Sequence, residues 1–244
     1  MTRLAGTSDE VATAAEDYCL YWHPGTCARV TLTALEEINE PFRAVVPHLF
    51  GDAKKEYLRL SPKGKVPTLV ARGQVITETP AIITYLHQRH PGARLLPADR
   101  EFEALELMSW FAAGVHRNIT LLRFPRNFCS VPEAFESIRD TARRALQQSF
   151  SILEGRLADR DWLLEQWSVV DAYMLWLWFR ATGSGLDGRE FGRCQDHAAR
   201  CEQRSTVARV LDLEERLYPQ LVVEGLIPEG LPDYQVGRSP KFAS

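Results

Sequence analysis

The sequence predicts an α/β domain followed by an all-helical domain, and three observations support this fold class. Over residues 18–94, extended and helical segments follow one another in the order βαβ and then ββα. Beyond the short segment 95–98, apolar residues recur only at helical spacing. The stretch Ser168–Asp171 has the pattern of a helix capping box and precedes a helix body that is apolar on all sides. Such a helix is expected at the centre of a helical domain.

Composition and pattern divide the chain into five segments. Residues 1–17 are mostly small, polar or acidic and offer little to bury, so we expect a mobile N-terminal extension. The α/β domain is predicted over 18–94, a linker over 95–98 and the helical domain over 99–230. Residues 231–244 contain Pro and Gly and are expected to form a C-terminal tail on the surface.

The elements of the α/β domain each have a local signal. The aromatic and apolar run Tyr18–Trp22 predicts a strand, which His23-Pro24-Gly25 ends. Thr26 is the expected N-cap of the helix that follows. The next predicted elements are a strand over Phe42–Val46, a short surface helix within Gly51–Leu60, strands at Val66–Val70 and Val75–Thr77 joined by the turn Arg72–Gln74, and a helix over Glu78–His90.

Five helical stretches are predicted after the linker. They are a helix over Arg100–Arg117, a long helix after Pro132, a third that begins at Ser168, and two more within about Asp187–Leu217. The first of these helices is expected to bury the apolar residues Phe102, Leu105, Met108, Phe111 and Val115.

Composition excludes several classes of function. The 244 residues carry a formal net charge of −3 with scattered basic residues, so no nucleic-acid partner is expected. The five cysteines have no framework spacing, which favours a reducing compartment. No signal-peptide pattern is present, and the longest apolar run, Val169–Phe179, contains Asp171 and is too short to span a bilayer. We therefore expect a cytoplasmic protein without a membrane partner.

Cys27 is the strongest candidate for a chemical role. It falls in the first turn of a predicted helix at the exit of a strand. Unpaired backbone N–H groups and the positive end of the helix dipole stabilise a thiolate there, so we expect a lowered pKa for this thiol. The alternative is that Cys27 is a small buried hydrophobic residue, as most free cysteines are.

Six short motifs extend from about residue 18 to about residue 228. They are Tyr21–Cys27, Pro62–Pro67, Thr77–Ile82, Val115–Arg117, Ser168–Tyr173 and Val223–Ile227. In this order and spacing they resemble the motifs of the cytosolic glutathione transferases, most closely the cysteine-containing bacterial beta class. One departure lies just before the capping box. Glu165-Gln166-Trp167 stands in place of the usual Gly-Asp, and the segment that leads to the capping serine is one residue shorter, so a different turn is expected.

The resemblance implies that the α/β domain is thioredoxin-like and binds glutathione as a co-substrate. A cis Val66–Pro67 bond would direct the Val66 backbone toward the cysteinyl unit of the ligand. Glu78 and Thr79, at a helix N-terminus, would hold the γ-glutamyl ammonium and carboxylate. The implied glutathione-binding residues are Thr26, Lys65, Val66, Pro67, Glu78, Thr79 and Arg117. The implied catalytic residues are Cys27 and His116, and the implied acceptor pocket is lined by Trp22, His23 and Phe124.

The implied function is that of a glutathione S-transferase, acting in detoxification or aromatic catabolism as a homodimer. It would activate the glutathione thiolate to attack an apolar electrophile bound between the two domains. Cysteine at this position also permits a mixed disulfide with glutathione, so thiol transfer or thioether cleavage stays open as an alternative. A non-catalytic binding protein of the same fold is a further alternative. The identity of the acceptor does not follow from the sequence.

A metal site is not expected. Cys194, His197 and Cys201 lie at helical spacing and resemble a small ligand cluster. One helix presents too few ligands in tetrahedral geometry, so we interpret these residues as structural.

Overall fold

A computed structural model describes residues 2–4, 18–227 and 235–242. Of the predicted mobile extension, only Thr2–Leu4 belongs to this described part, and the rest of the extension lies outside it. Residues 228–234 of the C-terminal region also lie outside the described residues.

Internal contacts divide the chain into two compact units. The sheet unit comprises residues 1–95 and 205–237, and the helical unit comprises residues 96–204 and 238–244. The helical domain predicted over 99–230 therefore extends further along the chain than the helical unit does.

A five-stranded sheet forms the centre of the sheet unit. Its strands are β1 (Thr2–Leu4), β2 (Tyr18–Tyr21), β3 (Phe42–Val45), β4 (Thr68–Ala71) and β5 (Gln74–Thr77). Their order is β1-β3-β2-β4-β5. The first three strands are parallel, whereas β4 runs antiparallel to β2 and β5. The predicted order of βαβ followed by ββα is confirmed, with β1 added at the edge beside β3.

Within the described residues, four α-helices belong to the sheet unit. They are α1 (Ala28–Ile38), α2 (Lys54–Leu60), α3 (Thr79–Arg89) and α9 (Ser205–Val223). Helix α1 contacts both α3 and α9. Every residue of α1 from Ala28 to Leu35 is consequently buried. This burial fixes the N-terminus of α1, next to which Cys27 lies.

The helical unit contains the remaining helices. They are α4 (Glu101–Trp110), α5 (His116–Arg123), α6 (Phe135–Arg156), α7 (Val169–Thr182) and α8 (Gly192–Glu202), with a π-helical turn over Phe111–Val115 between α4 and α5. All residues of α7 are buried, and Ser168 and Asp171 form the predicted capping box. The prediction of a central helix at this position is confirmed.

The first predicted helix differs from the structure in two respects. It is interrupted by the π-helical turn, and two of its predicted core residues are exposed. Phe102 has 90% of its surface exposed and Leu105 has 42%. The prediction was wrong for these two residues because successive steps of three residues drift around a helix with 3.6 residues per turn. The buried stripe instead contains Ala104, Leu107, Met108, Phe111 and Val115.

The turn before α7 has a backbone geometry of its own. Glu165 has a φ of 67°, and Leu164 and Gln166 on either side of it form an isolated antiparallel bridge. The sequence predicts an unusual turn here, and a non-glycine residue in the left-handed region agrees with it. Among the described helices, none combines the length and apolar character needed to cross a bilayer.

Candidate functional site

Cys27 lies at the junction between β2 and α1, where it is the N-cap residue of the helix. Thr26 fixes this junction, since its amide and hydroxyl both donate to the His23 carbonyl, at 3.2 and 2.6 Å. The Thr26 hydroxyl oxygen also accepts the Ala28 N–H at 3.3 Å. The helix thus begins one residue later than predicted, but the Thr26 side chain still bonds a free amide of its first turn.

The thiol of Cys27 is half-buried and lies beside the loop that enters β4. Its S–H donates to the Val66 carbonyl, with Sγ and O 3.5 Å apart. The Val66–Pro67 peptide bond is cis, as the motif predicts. The fold therefore brings together Cys27 and the backbone of Val66, which are 39 residues apart in sequence.

The other cysteines have different surroundings. Cys19, Cys194 and Cys201 are buried, whereas Cys129 is half-buried. Burial raises the pKa of the Cys194 and Cys201 thiols well above the ordinary value, and the carboxylates of Glu154 and Asp171, respectively, add to this effect. These two thiols are therefore protonated and unreactive at neutral pH.

Glu78 and Thr79 lie where β5 passes into α3. Glu78 has φ and ψ of 72° and 121°, a conformation that non-glycine residues rarely adopt. Its exposed carboxylate accepts a hydrogen bond from the Lys63 ammonium, with Nζ and Oε1 2.6 Å apart. Thr79 is the buried first residue of α3. A carboxylate and a helix N-terminus are thus adjacent in the chain.

Lys63 was not singled out by the sequence, which favoured Lys65. Lys65 is exposed, and its backbone carbonyl accepts the Tyr57 hydroxyl at 2.7 Å. Tyr57 is buried and also bonds Thr68 at the start of β4. Burial raises the pKa of Tyr57, so its hydroxyl keeps the donor proton. The Tyr57 side chain, which the motifs did not indicate, therefore stabilises the loop that precedes the cis bond.

Trp22 and His23, which the resemblance assigns to the acceptor pocket, lie at the end of β2 and in the loop that follows it. Both are buried, with 0% and 1% of their surfaces exposed. His23 bonds the Leu226 carbonyl at 3.2 Å, and burial lowers its pKa to about 4, so the ring is neutral at physiological pH.

Three predicted residues belong to the helical unit. His116 is the first residue of α5, directly after the π-helical turn, and its ring stands edge-on to Trp176 with centroids 4.5 Å apart. Arg117 is exposed, with its guanidinium 5.5 Å from the centre of the Phe128 ring. Phe124 is half-buried, and the guanidinium of Arg123 lies 5.0 Å from the centre of its ring. The π-helical turn is of interest because such turns are frequent at functional sites.

The cluster around His197 stabilises the N-terminus of α7. His197 bonds Asp171 at 2.9 Å, and the Cys201 sulfur lies 3.7 Å from the His197 ring nitrogens. The same carboxylate accepts the backbone N–H groups of Leu163 and Ser168. Within the described residues, no group of three or more His, Cys, Asp or Glu side chains is arranged to hold a metal ion.

Comparison with known proteins agrees with this geometry. A family model described as the N-terminal domain of glutathione S-transferases matches residues 25–89, which include Cys27, the cis bond and Glu78. Glutathione S-transferase GstA of Escherichia coli O157:H7 is 28% identical over 184 residues, which cover 70% of this chain and 87% of GstA. The structure of a sphingomonad glutathione S-transferase complexed with glutathione is 26% identical, with a TM-score of 0.71 over 81% of this chain and 98% of that one.

The family model, the curated relative and the solved structure together support membership of the cytosolic glutathione S-transferase superfamily. This confirms the family that the six motifs predicted, the thioredoxin-like sheet followed by helices, and the expectation of an enzyme of the transferase family. One segment of this superfamily member is also similar to a relative with a different name. Over 80 residues it is 41% identical to a probable maleylacetoacetate isomerase of Caenorhabditis elegans, which is 32% of this chain and 37% of that protein.

Proposed function

We propose that this protein is a glutathione transferase that binds glutathione on the sheet unit and activates its thiol beside Cys27. The observation that supports the proposal most directly is the contact of the half-buried Cys27 sulfur with the Val66 carbonyl, next to the cis bond to Pro67. An extended tripeptide that pairs with the Val66 backbone would bring its own sulfur to the N-terminus of α1.

The γ-glutamyl end of glutathione carries an ammonium and a carboxylate. Glu78 is proposed to bind the ammonium, and the Thr79 hydroxyl with the first amides of α3 to bind the carboxylate. The Lys63 ammonium already lies 2.6 Å from Glu78. This contact supports the proposal, because it demonstrates that the carboxylate has room for a primary ammonium group.

The chemical step is a nucleophilic attack by the glutathione sulfur. The thiol loses its proton to solvent, its lone pair forms a bond to an electrophilic carbon, and a leaving group departs with the electron pair of the bond that breaks. The amides at the N-terminus of α1 would stabilise the thiolate before it attacks. His116 is proposed to assist catalysis, and Thr26, Lys65 and Arg117 to contact glutathione.

A second candidate function is glutathione-dependent reductive chemistry, favoured by the fact that the residue at this position is a half-buried thiol. In this reaction the Cys27 thiolate attacks the glutathione sulfur of a disulfide between glutathione and a second thiol. The bond between the two sulfurs breaks, and the second thiol is released. The mixed disulfide is then reduced by a second glutathione, which forms oxidised glutathione and restores Cys27.

An isomerase activity is a third candidate, and the similarity to a probable maleylacetoacetate isomerase favours it. The same glutathione thiolate can add to a conjugated cis double bond, allow rotation about the resulting single bond, and leave again to give the trans isomer. No net oxidation occurs and glutathione is regenerated. We further propose that the protein acts in the cytoplasm as a homodimer on an apolar small molecule, whose pocket includes Phe124.

Replacement of Cys27 separates the first two candidates. In Cys27→Ser we expect conjugation of glutathione to chlorodinitrobenzene to survive in part, because the helix N-terminus remains. Turnover of hydroxyethyl disulfide should fall below about 1% of the wild-type rate, because serine forms no mixed disulfide. The matched control is Cys129→Ser, which removes the other half-buried thiol and should change neither rate. Equal survival of both activities in Cys27→Ser would contradict a nucleophilic role for Cys27.

A further inference from the structure

We propose that His23 is a positioning residue, which ties the loop carrying Cys27 to the C-terminal segment of the chain through the Leu226 carbonyl. The inference rests on the proposed function of the Cys27 loop, but its test does not require turnover. This hydrogen bond joins two residues that are 203 positions apart in the sequence.

The geometry of the bond assigns the tautomer of His23. Nε2 lies 3.2 Å from the Leu226 carbonyl oxygen, which can only accept. Nε2 therefore carries the hydrogen. Burial of all but 1% of the side chain keeps the ring neutral, with a pKa of about 4. A buried polar ring is unfavourable without a partner, so this bond stabilises the imidazole in its buried position.

Leu226, which accepts this hydrogen bond, lies in a well-packed part of the sheet unit. Leu226 and Ile227 are buried with Leu221 at the end of α9, and four further apolar residues pack against this cluster: Val46, Leu217, Tyr218 and Val222. The amides of Leu226 and Ile227 both donate to the Leu221 carbonyl, at 2.9 and 3.2 Å. Gly225, with a φ of 70°, allows the chain to turn here.

The His23 end of the bond leads directly to Cys27. The His23 carbonyl accepts both the amide and the hydroxyl of Thr26, and the Thr26 hydroxyl oxygen accepts the Ala28 amide. Cys27 lies between these two residues. A change in the position of His23 is therefore transmitted through Thr26 to the N-terminus of α1, and with it to the Cys27 sulfur.

The test compares the rate of Cys27 alkylation in variants of the full-length protein. Iodoacetamide labelling, followed by mass spectrometry of peptides, reports each cysteine separately. In His23→Leu the donor is lost while an apolar side chain still fills the space. We expect the Cys27 labelling rate to rise at least threefold as the loop loosens, while Cys129 keeps its rate and the buried Cys19, Cys194 and Cys201 stay unlabelled. His23→Gln offers an amide donor near the position of Nε2 and should restore most of the wild-type rate.

Two controls separate positioning from a general loss of stability. Leu86→Val removes one methylene group from a buried side chain of α3 and should leave the Cys27 rate unchanged. Leu226→Ala loosens the other end of the bond, so it should raise the Cys27 rate by itself but add little in a protein that already carries His23→Leu. A Cys27 rate in His23→Leu that is within twofold of wild type, or a rise shared with the buried cysteines, would overturn the proposal. If Cys27 labelling changes as expected but the protein does not bind glutathione, only the proposed function is contradicted.

Discussion

At the scale of single residues, Glu78 combines an unusual backbone conformation with an exposed carboxylate. Its φ of 72° directs the chain from β5 into α3, and its side chain has 62% of its surface exposed. Backbone conformations of this kind cost free energy and are kept where the surrounding structure requires them. Together with the Lys63 contact, this geometry favours Glu78 as the group that binds the ammonium of the ligand.

The role of Glu78 is tested by Glu78→Gln, which removes the charge and keeps the shape. We expect the KM for glutathione to rise about tenfold with kcat changed less than twofold, because a charge-assisted hydrogen bond to an exposed carboxylate is lost in ground and transition states alike. Steady-state kinetics with varied glutathione measures both constants. The matched control, Glu56→Gln, removes an exposed carboxylate in the first turn of α2. Equal KM values for the two variants would contradict the assignment.

The sequence singled out the residues of the proposed site, but it did not indicate the side chains that contact them. Cys27, the cis bond and the Glu78-Thr79 pair follow from local motifs. Lys63 and Tyr57 did not, because their contacts with Glu78 and with the Lys65 carbonyl join separate elements. Spacing along the chain carries no information on such contacts. The same limit applies to the contact of His23 with the Leu226 carbonyl, which no local motif indicates.

At the scale of elements, α7 organises the helical unit. The Asp171 carboxylate accepts bonds from the backbone amides of Leu163 and Ser168 and contacts His197, and all of these groups are buried. One side chain therefore joins the start of α7, the preceding turn and α8.

Loss of the Asp171 carboxylate should destabilise the helical unit strongly. Asp171→Ala leaves several buried donors without an acceptor, and we expect a loss of roughly 3 kcal/mol or more in the free energy of unfolding. Urea unfolding followed by tryptophan fluorescence measures it, since five of the six tryptophans lie in the helical unit. Asp187→Ala, at an exposed 3₁₀ turn of the same unit, is the control. A midpoint for Asp171→Ala equal to that of the control would be evidence against the network.

Helix α4 illustrates where a sequence pattern fails at this scale. The pattern correctly predicted a helix, but it placed Phe102 and Leu105 in the core and missed the π-helical turn. Several apolar stripes can be drawn on a helix with apolar residues on more than one side. Which stripe is buried depends on the neighbouring helices, and these are not encoded in the spacing of a single segment.

At the scale of the whole molecule, a buried ion pair joins distant parts of the sheet unit. The Arg29 guanidinium on α1 bonds the Glu214 carboxylate on α9, and both side chains are at most 2% exposed. Arg29 also donates to the Gly237 carbonyl at 2.9 Å, and Glu214 accepts the Gly237 amide at 3.2 Å. The pair thus connects the helix that follows Cys27 with the C-terminal region.

Removal of one partner from this pair should cost more than removal of both. Arg29→Met leaves a buried carboxylate uncompensated, which typically costs about 3–5 kcal/mol, whereas Arg29→Met with Glu214→Leu should regain much of that loss. Chemical unfolding of the two proteins measures the difference. Arg209→Met, which breaks a more exposed contact with Glu36, serves as the comparison and should change stability little. The expectation fails if the double variant is no more stable than Arg29→Met.

The central claim, that the sheet unit binds glutathione, is tested most directly by the melting temperature with and without millimolar glutathione. A ligand present at a hundred times its Kd adds about 2.7 kcal/mol to the stability of the folded state. We therefore expect a rise of several degrees for a chain of this size. The rise should be smaller in Glu78→Gln than in Glu56→Gln. No rise at any accessible glutathione concentration would leave the fold and the family in place, but it would contradict the proposed site and favour a non-catalytic binding protein.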